Sequence, residues 1–188
     1  MQGRLTLADN NAKSASALAA FDPQGLVFAV ATGSKYLRLY DARNWERGAF
    51  STFELSPSSN SNNSTVSWSN LQFSPDGKEI LITLNSSSEP SSTSGIILDS
   101  FDGIVKGSLE SSSPESFANL LSFTPDSKYI FGARPVDGQL NIWDAKERKL
   151  IVDGVEGINR DPIGAVAFNP KFAMLAAITQ DNSTVFYI

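Results

Sequence analysis

Residues Phe123–Ile130 read FTPDSKYI: an aromatic residue, a polar turn built around proline, and a return to apolar residues. The same chain carries three relatives of this stretch: AFDPQGLVFA at 20–29, QFSPDGKEIL at 72–81 and AFNPKFAMLA at 167–176. Aligned on the aromatic, the copies begin at Phe21, Phe73, Phe123 and Phe168, at spacings of 52, 50 and 45 residues. In each, Asp, Ser, Thr or Asn follows the Phe, and then comes Pro23, Pro75, Pro125 or Pro170. Self-similarity at such a period marks a repeat architecture, in which one unit cannot bury its apolar faces alone and stacked units can.

The turn residues have a mechanical reading. A short polar side chain at the first corner bonds the backbone two residues on, and proline at the second corner pre-sets φ near −65°. Glycine suits the fourth corner; Gly25 and Gly77 supply it, whereas Ser127 and Phe172 depart from it. In three copies the turn joins two strand-like runs, the second being Leu26–Ala31, Glu79–Leu84 or Tyr129–Ala133, too short for most helices and rich in aliphatic, aromatic and β-branched residues. A further strand pattern follows each: Leu37–Asp41 (LRLYD), Ile96–Asp99 (IILD), Leu140–Asp144 (LNIWD) and Val185–Tyr187 (VFY). A fourth run follows in three copies, at Phe50–Leu55, Ile104–Leu109 and Leu150–Val152. No helical periodicity competes. The expected fold is all-β, with about four strands per repeat over approximate repeats 18–55, 68–110, 118–153 and 163–188, the spacing and strand count of propeller blades.

Composition narrows the chemistry. The chain has 188 residues, 41% of them hydrophobic and 19% charged, which is the balance of a globular protein. A net charge of −5 argues against a nucleic-acid-binding surface. There is no cysteine and no histidine, so disulfides, thiolate nucleophiles, His-dependent triads and nearly all structural zinc sites are excluded. Carboxylate, lysine, tyrosine or magnesium-assisted mechanisms remain open to an enzyme. The opening MQGRLTLADNN has no apolar core of a secretory signal, and the longest apolar run, Leu26–Ala31, is far below a membrane span. The expectation is an intracellular protein without cofactor or metal. Asn62, Asn63, Asn85 and Asn182 open Asn-x-Ser/Thr sequons, read as chance in a Ser/Asn-rich chain.

Phe-x-Pro-Asp-Gly, an apolar strand and then LNIWD resemble the WD-repeat family. Within it, AFDPQGLVFAVA, LRLYDARNWERGAFSTF, LQFSPDGKEILI, SFTPDSKYI and FNPKFAMLAA resemble the small WD-repeat subunits of COMPASS histone methyltransferases, which in yeasts also serve the cleavage-and-polyadenylation factor. The resemblance runs from about Gln2 to Phe186. It implies a non-catalytic β-propeller scaffold of the nucleus, with the cytosol as the alternative. It implies protein partners: a methyltransferase catalytic subunit, RNA polymerase II-associated factors or 3′-processing factors. No membrane or direct nucleic-acid contact is expected. It also implies a seven-bladed ring, of which about four blades are present as one partial propeller. On that reading Met1–Leu7 is the last strand of a preceding blade, and the chain stops one strand short of completing its final blade. The Gly-His dipeptide common in WD repeats is absent, which predicts a weaker hydrogen-bond network within the blades.

Three Ser-rich stretches, 56–65, 85–94 and 108–116, read as solvated inter-strand loops. Ser56-Pro57 and Ser113-Pro114 fit proline-directed phosphorylation, beside the simpler reading of tolerated insertions. Asp41, Asp99 and Asp144 sit on equivalent corners of different blades and are expected to bond turn backbone rather than to gather around a metal. Trp143 is expected to pack. Asn44–Phe50 (NWERGAF) places Trp45, Arg47 and Phe50 in a connection between strands, and aromatic residues and Arg are the types enriched at interface hot spots. Blade packing is the competing account, strongest for Phe50. Arg134 and Arg160 are further candidates on the rim, where an Arg could read a phosphorylated peptide through charge-assisted bonds. Against the scaffold stand a small propeller hydrolase using paired carboxylates and a truncated propeller fragment without independent function.

Overall fold

The computed structural model describes residues 17–33, 35–55, 67–85, 93–113, 118–134, 137–155, 163–172, 174–179 and 183–187. Met1–Leu7, Ser56–Thr65, Arg160, Pro114, Asn62, Asn63 and Asn182 lie outside them.

The described strands form four antiparallel sheets, each following chain order. The first holds β1 (Leu18–Phe21), β2 (Val27–Thr32), β3 (Tyr36–Asp41) and β4 (Ser51–Glu54). The second holds β5 (Ser67–Phe73), β6 (Glu79–Asn85), β7 (Thr93–Asp99) and β8 (Val105–Glu110). The third holds β9 (Asn119–Phe123), β10 (Tyr129–Ala133), β11 (Leu140–Asp144) and β12 (Leu150–Asp153). The last has three described strands, β13 (Ile163–Phe168), β14 (Met174–Thr179) and β15 (Ser183–Tyr187). This is the architecture of propeller blades. The fourth Phe-x-Pro turn also joins two strands, β13 and β14, although Phe172 replaces the glycine.

Two chemistries close the Phe-x-Pro turns. In the first sheet the Asp22 carboxylate accepts directly from the N–H groups of Gln24 (3.1 Å), Leu26 (2.7 Å) and Val27 (2.8 Å). In the second and third a hydroxyl replaces it. Ser74 donates to Asp76 at 2.7 Å and accepts from the Glu79 N–H at 2.9 Å; Thr124 donates to Asp126 at 2.6 Å and accepts from the Tyr129 N–H at 3.1 Å. The fourth corner is left-handed in all three, at φ +70° for Gly25, +75° for Gly77 and +60° for Ser127. Ser127 is held there by the same backbone bond as the glycines, its N–H donating to the Thr124 carbonyl at 2.9 Å.

The core lies between the sheets. One cluster joins Ala29, Leu37 and Leu39 of the first sheet to Leu71, Phe73 and Ile82 of the second. A second joins Leu81, Ile97 and Leu109 to Leu121, Phe123 and Trp143 of the third. A third joins Phe131, Ala133 and Leu140 to Ile163 and Leu175 of the last, with Phe168 against it, 5.7 Å from Phe131. The repeat Phe therefore packs toward the preceding sheet in each case. Phe21 departs from this: it is 66% exposed against 3% for Phe123, and its ring contact is with Phe28 of its own sheet at 5.6 Å. Among the described residues no sheet packs on Phe21 as the preceding sheets pack on Phe73, Phe123 and Phe168.

The Ser-rich stretches are shorter as loops than their composition suggests. Asn85 ends β6, Thr93 and Ser94 open β7, and Ser108–Glu110 complete β8. Ser94 and Ser111 are buried, their hydroxyls 3.2 Å apart. Ser94 accepts from the Ala118 N–H at 2.9 Å, and Asn141 Nδ2 donates to Ser111 at 3.4 Å. These serines hydrogen-bond the second sheet to the third. Gly95 of β7 makes the same seam close, because a Cβ there would fall on Leu121 of β9; within the third sheet, a Cβ on Gly132 would fall on Leu121 and lie 3.0 Å from Ala118 Cβ and from Trp143. Among the described residues no helix is long and apolar enough to cross a membrane.

Candidate protein-interaction surface

The Phe-x-Pro turns and the turns that follow each Asp lie at one end of the sheets, tied together by backbone bonds. Ala42 N–H donates to the Leu26 carbonyl at 2.9 Å, Ser100 N–H to Lys78 at 3.0 Å, and Ala145 N–H to Lys128 at 2.8 Å. Asp41, Asp99 and Asp144 open the second set. Asp41 accepts from the Arg43 N–H (2.8 Å) and Asn44 Nδ2 (3.1 Å), Asp99 from the Phe101 N–H (2.8 Å), and Asp144 from Lys146 and Glu147 (2.9 and 2.7 Å). The Arg43 N–H and the Asn44 side chain hold the Asp41 carboxyl below the ordinary carboxylate range. For Asp99 the main cause is Lys106 Nζ, 2.8 Å away, followed by the Phe101 N–H. The three carboxylates stand on three different sheets, and no set of three or more potential metal ligands comes together among the described residues.

Asn44–Phe50 extends the first of these turns. Trp45–Arg47 form one 3-10 turn, absent from the strand-based reading because three residues carry no periodicity. Arg47 N–H bonds the Asn44 carbonyl at 3.0 Å and Gly48 N–H the Trp45 carbonyl at 3.1 Å. Gly48 then reverses the chain at φ +92°, and Phe50 N–H rejoins the sheet at the Leu39 carbonyl, 2.9 Å away. Trp45 is half-buried and Arg47 exposed. Phe50, the residue for which blade packing is the strongest competing account, is 57% exposed. Its backbone pairs with β3, but its side chain stands open to solvent.

Other apolar side chains stand exposed at the same end: Leu26, Phe101, Ile104, Tyr129 and Phe172. The turn carrying Phe101 and Ile104 leans on the first sheet, because Gly103 (φ +71°) lies against the ring of Phe53 and leaves no room for a Cβ. Sequence reasoning passed over these residues; their signal was an apolar residue inside an otherwise polar turn. It also passed over the ion-pair group that braces this end, in which Glu79 meets Arg148 at 2.8 Å and Lys106 at 3.4 Å.

Arg134 lies at the other end, just past β10, away from Trp45, Arg47 and Phe50. Its side chain is only 13% exposed, pairing with Asp137 at 2.7 Å and Asp153 at 3.3 Å, and with Gln139 at 3.4 Å. Trp143 is fully buried, its Nε1–H donating to the Glu110 carbonyl at 2.8 Å.

No family model matches the chain. WD repeat-containing protein 82 of Drosophila melanogaster is 35% identical over 162 residues, 85% of this chain and 47% of that protein. A WD repeat-containing protein of Schizosaccharomyces pombe is 30% identical over 192 residues, 90% of this chain and 52% of its own length. The chain is a WD-repeat protein. The chain is also similar to protein ANTHESIS POMOTING FACTOR 1 of Arabidopsis thaliana, 27% identical over 84% of this chain and 43% of that protein. Among solved structures, the β-propeller domain of Cps50 (Swd1) from Myceliophteria thermophila superposes with a TM-score of 0.68 at 15% identity, covering 91% of this chain and 53% of that one. That likeness shows the β-propeller fold. This WD-repeat chain spans about half the length of the curated relatives it matches.

Proposed function

We propose that this WD-repeat chain is a non-catalytic, nuclear scaffold, and a subunit of a histone lysine methyltransferase assembly, an mRNA 3′-end-processing assembly, or both. The observation that carries the reading is the turn end of the sheets. Buried inter-sheet cores fix the turns, one of which carries exposed Arg47 and Phe50 with half-buried Trp45, and another exposed Phe101 and Ile104. A rigid frame lowers the cost of ordering an interface, and large aromatic side chains with Arg supply binding energy in a small area. The partners on this reading are peptide segments of the methyltransferase catalytic subunit and of RNA polymerase II-associated or 3′-processing factors. Relatedness to WD repeat-containing protein 82 and the sequence resemblance over LYDARNWERGAFSTF support the choice of complex. The turn carboxylates are engaged by their own backbones, which favours a structural role for Asp41, Asp99 and Asp144 over catalysis.

Affinity capture from nuclear extract, with the bound proteins identified by mass spectrometry, tests the proposal. Recovery of methyltransferase or 3′-processing subunits is expected. Recovery of neither overturns the assignment to these complexes, and robust turnover of glycoside or ester substrates by the purified chain overturns the non-catalytic reading.

A further inference from the structure

The end of β8 crosses the seam between the second and third sheets. Ser111 is buried there with Ser94 and Asn141, and Glu110 accepts from Trp143. One residue further on, Ser112 is exposed, and its hydroxyl donates to Asp153 Oδ2 at the end of β12. The other Asp153 oxygen faces Arg134 Nη1 at 3.3 Å, and Arg134 Nη2 pairs with Asp137 at 2.7 Å. We propose that Ser112 is a phosphorylation site and that its modification loosens the seam between the second and third blades.

The sequence from Ser112 is Ser-Ser-Pro-Glu, which puts a carboxylate three residues after the acceptor and suits an acidophilic Ser/Thr protein kinase. Ser113-Pro114 is the proline-directed motif; the hydroxyl of Ser112, the residue before it, bonds Asp153 of the third sheet. In the modification the γ-phosphoryl group of a nucleoside triphosphate passes to Ser112 Oγ. The bond to the leaving nucleoside diphosphate breaks as the Oγ–P bond forms, and the hydroxyl proton passes to the kinase's base. That proton is the one shared with Asp153, so the phosphoester cannot replace the bond. In its place stands a group carrying about −1.5 to −2 charges, set against the Asp153 carboxylate with Glu110 two residues upstream. Arg134, the cation in contact with Asp153, is already shared with Asp137. A bond across the seam becomes a contact between like charges.

The test uses the 188-residue chain, an acidophilic Ser/Thr kinase and Mg-ATP, with the phosphate located by mass spectrometry and both forms melted. Phosphate on Ser112 and a melting temperature lower by about 2–4 °C are expected; in a domain of this size that shift is about 1 kcal/mol. Ser112→Glu should reproduce the fall, Ser112→Ala should give a smaller one, and the Ser112→Glu penalty should shrink in an Asp153→Asn background. Phosphate only on other serines, equal melting of the two forms, or a Ser112→Glu penalty unchanged by Asp153→Asn overturns the proposal.

Discussion

Phe21 and Phe123 hold the same position in their repeats, yet the structure assigns them different energetic weights. Phe123 is 3% exposed in the cluster shared with Leu81 and Ile97 of the preceding sheet, while Phe21 is 66% exposed. Phe123→Ala removes a buried ring from the join between two sheets and leaves a cavity that two antiparallel sheets cannot close by relaxing one side chain. Substitutions of that kind cost about 3–5 kcal/mol. Phe21→Ala loses one tilted contact with Phe28 and little buried area, which sets its cost near 1 kcal/mol or less, within the value of an aromatic pair. At roughly 2–4 °C per kcal/mol for a chain of this size, Phe123→Ala should lower the melting temperature by about 10 °C or prevent folding. Phe21→Ala should shift it by no more than about 4 °C. Urea titration of both variants beside the parent, with the slope checked for constancy, separates stability from a change in the folded state. Equal losses for the two variants, or a loss below about 1 kcal/mol for Phe123→Ala, would refute the reasoning that packing on the preceding sheet sets the energetic weight of a repeat Phe.

Acid should weaken the fold through its turns. The Thr124 hydroxyl, with the Lys128 N–H, holds the Asp126 carboxyl below its ordinary value of 3.8. The stability this provides is complete above the ordinary value and is lost as pH falls through the lowered one. Denaturation measured from pH 6 downward, in about half-unit steps, should show that loss, and Asp126→Asn should be less stable near neutrality with a shallower fall in acid. Gly132→Ala places a Cβ against Leu121, Ala118 and Trp143 and is expected to cost about 1–3 kcal/mol by overpacking, read from the urea midpoint; a neutral result would show that these side chains of the third sheet can repack around it. Arg148→Ala removes the 2.8 Å bond to Glu79 and the contact of its stem with Gly107. It should destabilise the chain by about 1–3 kcal/mol and make its stability less sensitive to salt.

What the sequence disclosed was local. Four Phe-x-Pro turns and four following strand patterns reveal the blades because turn geometry depends on a few adjacent residues, and the two ways of closing the turn, through Asp22 or through Ser74 and Thr124, both use short polar side chains. What it concealed depends on neighbours distant in the chain. Ser94, Ser111 and Asn141 look like members of polar loops until the fold brings them together across a seam, at separations of 17 and 30 residues. Arg134 reads as a rim cation until Asp153, 19 residues on, arrives beside it. Phe21 and Phe50 carry the residue type of packing positions, yet both are exposed, and no local pattern distinguishes them from the buried Phe73 and Phe123. Of the candidate surface, Trp45, Arg47 and Phe50 were legible as an unusual turn. Phe101 and Ile104 were not, because their approach to the first sheet depends on Gly103 lying against Phe53.

The scaffold account is tested most directly by quantitative capture from nuclear extract with the parent chain beside a Trp45→Ala/Arg47→Glu/Phe50→Ala variant, after melting curves have shown both to be folded. The parent should retain methyltransferase or 3′-processing subunits and the variant should lose at least about thirtyfold of them, the equivalent of one hot-spot residue or more at about 2 kcal/mol. Equal recovery by the two folded proteins would contradict a docking role for this turn.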